Sequence, residues 1–90
     1  MTDFEARMAA LRARLAERCR EDRAAISEAL ANDNRETLID RAHKLAGIAG
    51  MLGAPELGEA AFALEEDLLA GREHAASAKT LMDRLAECAA

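Results

Sequence analysis

Aromatic side chains are nearly missing from this sequence: there is no Trp or Tyr, and Phe4 and Phe62 are the only rings besides the two histidines. So few stacking residues weaken the case for binding single-stranded nucleic acid. A formal charge of -5, with acids and bases interleaved, argues against nucleic acid or an anionic membrane as a partner. No apolar run approaches the ~20 residues needed to span a bilayer. The opening MTDFEARM is acidic and lacks the apolar core of a signal peptide. The closing ECAA leaves two residues after Cys88, one short of a prenylation box. A cytoplasmic location is therefore expected. Cys19 and Cys88 are far apart, in neither metal-ligand nor redox spacing. Both continue apolar stripes and are expected as buried free thiols. Zinc finds too few ligands, and no metal or other cofactor is expected.

Proline is as scarce, with Pro55 alone, while Ala, Leu, Glu and Arg dominate. That mixture predicts an all-helical protein, and 90 residues suffice for one domain spanning 1–90. A capping box, Thr2 to Glu5, opens a first helix. Its stripe is Phe4, Met8, Leu11, Leu15 and Cys19, continued by Ile26 and Leu30. The charged run REDR, residues 20–23, interrupts that seam and predicts a kink or a break there. ANDN follows, with Asp33 or Asn34 as N-cap of a second helix. Leu38, Ala42, Leu45, Ala49 and Leu52 form its stripe, and Gly53 ends it. Pro55 suits the first turn of a third helix, striped by Leu57, Ala61, Leu64 and Leu68 and closed by Gly71. A fourth runs on Ala78, Leu81, Leu85 and Cys88. Four amphipathic helices with short connections predict an all-α, antiparallel up-down four-helix bundle. A monomer is expected.

The stretch RAHKLAGIAGMLGA, residues 41–54, has helical spacing yet carries Gly47 and Gly50 close after His43. Each mid-helix glycine costs roughly 0.5–1 kcal/mol relative to alanine, so the pair calls for a reason. On a helical wheel His43 lies about 140° from the centre of the apolar stripe, and Gly47 lies on the face most remote from it. Packing within the bundle therefore explains Gly47 poorly. Helical side chains lean toward the N-terminus, so a side chain at 47 would cover the surface near 43. Gly47 leaves that imidazole open. Ile39, Asp40, Ala46, Gly47, Gly50 and Met51 surround it as a shallow patch suited to a partner protein. His74 stands in the connection before the last helix without a motif and is read as incidental or structural.

The pattern AHKLAGIAGMLGAPELGEAAFALEE, residues 42–66, resembles the histidine-containing phosphotransfer (HPt) domain family. His43, Leu45, Gly47, Ala49, Leu52-Gly53, Leu57 and Leu64-Glu65 stand at the family's spacing. The resemblance implies a four-helix bundle that carries a phosphoryl group between receiver-domain aspartates in multistep two-component relays. Its partners would be response-regulator receivers and the receiver of a hybrid histidine kinase. By that resemblance His43 is the phosphoacceptor, and Glu65 matches the position that hydrogen-bonds the imidazole. On its own helix Glu65 lies some 70° from the stripe, at the boundary with a neighbour. A carboxylate accepting from Nδ1–H would fix the tautomer and leave Nε2 to attack phosphorus. The family often has a lysine three residues after the histidine; here that place is Ala46, leaving Lys44, Arg41 or a group on the partner to neutralise the phosphoryl oxygens. With no Gly-rich phosphate loop, the chain is expected to be a phosphocarrier and not a kinase. It also lacks a carboxylate cluster for Mg²⁺, which the receiver would bring. A helical adaptor that docks a partner through the same patch, without phosphorylation, is the competing reading.

Overall fold

The computed structural model describes residues 2–89. Its helices are α1 (Asp3–Ala31), α2 (Arg35–Ala49), α3 (Pro55–Leu69) and α4 (Ala75–Ala89). They pack as a ring, α1 on α2, α2 on α3, α3 on α4 and α4 back on α1. That is the antiparallel up-down bundle the stripes predict. Leu38, Leu45, Leu57, Leu64, Leu68, Leu81, Leu85 and Ile26 fill the core almost without exposure, interleaved with alanines. Among the described residues no helix is long and apolar enough to cross a membrane.

Helix ends follow local chemistry. Thr2 accepts from the Glu5 N–H at 3.1 Å, and Asn34 accepts from the Thr37 N–H at 3.2 Å, satisfying donors that a helix start leaves unpaired. Asp33, at φ 52°, takes the left-handed position that ends α1. At the end of α2 the Ala54 N–H reaches the Ala49 carbonyl at 2.8 Å, and the Gly53 N–H reaches that of Gly50 at 3.2 Å. This paired closure needs a left-handed residue, and Gly53 supplies it at φ 80°. Glu73 covers the start of α4, accepting from the N–H groups of His74 and Ala75. His74 itself contributes its carbonyl, which accepts from the Ala78 N–H and the Ser77 hydroxyl.

Two expectations for α1 fail. No break falls at residues 20–23, because the helix runs through them without interruption. Asp22, three residues after Cys19 and four before Ile26, stands on the seam itself and is fully buried. Arg18 Nε donates to its Oδ2 at 2.8 Å and Arg41 Nη1 to its Oδ1 at 3.2 Å, so both carboxylate oxygens have cationic partners and α1 is tied to α2. Nor do Phe4, Met8 and Leu11 join the core. With 29 residues α1 is about 44 Å long, against about 22 Å for the 15-residue α2, α3 and α4. The other helices end level with residues 14–20, where Arg20 reaches the Ala89 carbonyl. Beyond that point α1 continues alone, with Phe4 67% exposed. The molecule is accordingly 48 Å long and only 20 × 18 Å across.

Cys19 is buried as expected, but Cys88 is only half-buried, lining a groove with Leu15 and the turn between α2 and α3. Burial, reinforced by Cys88 nearby, pushes the Cys19 thiol up to about 12, so it stays protonated and unreactive at neutral pH.

Candidate functional site

The site is built on α2 and α3. Burial of Leu38, Ala42, Leu45 and Ala49 fixes the rotation of α2 about its axis and turns the opposite face outward. His43 stands on that outer face, with its side chain 73% exposed. Gly47, one turn along, has open space where a Cβ would be, as does Gly50. Neither glycine is required by packing inside the bundle.

A third glycine works the other way. A Cβ at Gly58 on α3 would sit 3.4 Å from the Ala49 Cβ and 3.6 Å from the Ala46 carbonyl oxygen. Its hydrogen lets α3 lie close against α2. Leu64 and Leu68, both buried, hold α3 in rotation so that Glu65 projects toward α2 at the boundary of the core. The outcome is a 2.7 Å contact between His43 Nδ1 and Glu65 Oε2, across 22 residues of sequence. The Glu65 side chain is only 12% exposed, so the carboxylate is shielded and the imidazole is not. A carboxylate can only accept, hence Nδ1 carries the proton and donates. In the neutral ring Nε2 then keeps its lone pair, directed away from Glu65 into solvent. The arrangement presents a nucleophilic nitrogen whose tautomer is set by a fixed partner, and the same carboxylate stabilises positive charge that develops on the ring.

An open hollow of about 630 Å³ adjoins the imidazole, lined by Ile39, Asp40 and Glu36 among others. Ile39 and Ala46 are half-buried and pack on the core, whereas Asp40, Gly47, Gly50 and Met51 are exposed. Met51 lies beyond the end of α2, in the turn that Gly53 closes. Lys44 Nζ is 3.1 Å from Asp40 Oδ2. Arg41 is committed to buried Asp22 on the α1 side.

Exposed apolar side chains are also present on α3, beside Glu65. Phe62 and Leu69 are both exposed and flank Glu65 on its own face, three residues before it and four after. Periodicity held the signal: both residues stand off the α3 stripe, on the side where Gly58 and Glu65 also lie. Among the described residues no group of three or more His, Cys, Asp or Glu side chains is placed to hold a metal ion.

A family model described as Hpt domain matches residues 10–90. No curated protein and no solved structure matches the chain.

Proposed function

The chain belongs to the Hpt domain family, and from that membership we propose that His43 receives a phosphoryl group from the aspartate of one receiver domain and passes it to that of another. Hpt domains serve histidine phosphotransfer in two-component signalling, as phosphocarrier modules without kinase activity that work with receiver domains and kinases. The observation that carries the reading for this chain is the exposed imidazole with Nδ1 held by Glu65 at 2.7 Å. In the forward step Nε2 forms the bond to phosphorus while the bond from phosphorus to the aspartyl oxygen breaks, and the carboxylate leaves on the receiver. The ring becomes cationic, and Glu65 balances it. Such transfer depends on positioning and electrostatics. A rigid helix bearing an unobstructed nucleophile supplies the positioning, and the open space at Gly47 leaves a route for an incoming receiver.

Phosphoryl charge needs neutralising, and Ala46 contributes none. Lys44 is the nearest free-stemmed cation. Leaving its exposed pair with Asp40 costs about 0.3–0.5 kcal/mol, little enough for it to turn toward phosphoryl oxygens. Phe62, Leu69 and Met51 form the apolar part of the docking face. The whole chain then acts as one cytoplasmic domain.

The test is incubation with receiver domains carrying labelled aspartyl phosphate. Label should move to this chain, be acid-labile and alkali-stable, and map to His43. No transfer from any receiver of the same cell, or label that survives acid, rejects the assignment. Glu65 gives a graded check. A charge-assisted hydrogen bond is worth about 1.5–3 kcal/mol, less when one partner is solvated. Glu65→Ala should therefore slow transfer about 10-fold. Glu65→Gln keeps an acceptor for Nδ1–H and should lose much less, as stopped-flow or gel-based transfer rates would show.

A further inference from the structure

The free half of α1 is the part of the molecule that neither the bundle nor the proposed phosphotransfer uses. Phe4, Met8, Leu11 and Leu15 recur at steps of four, three and four, the spacing of a two-heptad coiled-coil seam. Phe4 and Met8 are exposed, Leu11 and Leu15 half-buried. Phe4 and Met8 also precede residue 10, where the family match begins. At its lower end the seam runs into a groove of about 370 Å³, with Leu15, Pro55, Leu57 and Cys88 in its apolar wall and Glu56, Glu87 and Arg84, the last paired with Glu87, at its polar side.

We propose that two copies of this chain pair through these arms, antiparallel, with Phe4 of each copy seated at the Leu15 groove of the other. Charge selects both the occupant and the direction. The tip of the arm carries Asp3 and Glu5, while its base carries Arg12 and Arg14. A parallel pair would set acid on acid and arginine on arginine. An antiparallel pair with Met8 opposite the partner's Leu11 sets each acidic tip beside the other's basic base, twice by symmetry. It also puts Phe4 level with the partner's Leu15, where the groove is. Arg7, level with the partner's Arg12 in this register, is an unfavourable neighbour whose long stem can carry the charge outward, and Glu56 in the groove is a second, facing the acidic tip. None of the groove residues lines the hollow beside His43, so a pair formed this way keeps both imidazoles open. This departs from the monomer expected on sequence.

Sedimentation of the full chain over a concentration series tests it. The 9.7 kDa chain should approach twice that mass as concentration rises. Phe4→Glu with Met8→Glu should hold it at the single-chain mass throughout. Those side chains make no core contact, so circular dichroism should show an unchanged fold. Asp3→Arg with Glu5→Arg should weaken association at least 10-fold, and adding Arg12→Glu and Arg14→Glu should restore it. A single-chain mass for the unmodified protein at every concentration overturns the proposal. So does association untouched by Phe4→Glu and Met8→Glu. Were that unassociated chain to bind a receiver domain less well after the same two substitutions, the arm would serve the receiver and not a second copy. These readouts need no phosphate, so they stand or fall apart from the phosphotransfer reading.

Discussion

His43→Gln is expected to remove phosphoryl transfer altogether while leaving the fold and the docking face in place. Glutamine has no nucleophilic lone pair comparable to Nε2, so no partial activity should remain. The side chain is largely in solvent, and substitutions at such positions usually change stability by less than about 0.5 kcal/mol. Its amide can still donate to Glu65 Oε2, which avoids stranding a carboxylate that is only 12% exposed. Phe62, Leu69 and Met51 are untouched, so affinity for an unphosphorylated receiver should stay within a few-fold of the original. The pair of measurements separates the two readings of the patch. A phosphocarrier loses transfer and keeps binding. An adaptor keeps binding and never showed transfer. Label reaching the Gln variant at the original rate would mean that the phosphoryl group goes elsewhere, and His43 would lose its role.

The core of α2, α3 and α4 was legible in the sequence because in each of them one apolar stripe has a partner along nearly its whole length, with only Leu52 after α2 and Cys88 at the end of α4 left half-buried. Capping residues and the glycines at 53 and 71 marked their ends for reasons that act within a few residues: a side-chain acceptor for free N–H groups, or a backbone turn that only glycine enters cheaply. The register that sets Glu65 opposite His43 also follows from wheel geometry, once α2 and α3 are adjacent. What wheel geometry does not contain is which part of a stripe finds something to pack on. Phe4 and Met8 repeat as regularly as Leu81 and Leu85, yet α1 outruns its neighbours and leaves them bare. Helix length, comparing 29 residues with 15, was the usable signal. Phe62 and Leu69 carry no signal in the stripe pattern for the converse reason. They stand off the stripe, and an off-stripe apolar residue acquires meaning only when its face is shared by a side chain with a partner on the next helix, as Glu65 has in His43.

Asp22 is where residue type and residue position conflicted most, and position prevailed. A carboxylate at a seam position looks like a helix breaker. It becomes tolerable when each oxygen receives a guanidinium, from Arg18 one turn earlier and from Arg41 on α2. The stabilising member of this triad is not the carboxylate itself but the pair of cations that makes its burial bearable. Arg18→Met with Arg41→Met should accordingly cost about 3–5 kcal/mol, since it leaves a charge fully buried without a partner. Small domains hold only about 5–15 kcal/mol in all, so the variant should melt on the order of 15 °C lower. Asp22→Val alone should be far milder. Both arginines are more than 30% exposed and return to water without penalty. Adding Asp22→Val to the double arginine variant should then recover most of the lost stability, although it removes the last member of the network. Chemical denaturation of the four proteins closes that cycle. A double arginine variant within about 1 kcal/mol of the original, or a triple variant no better than the double, would mean that something other than these two cations holds Asp22 inside.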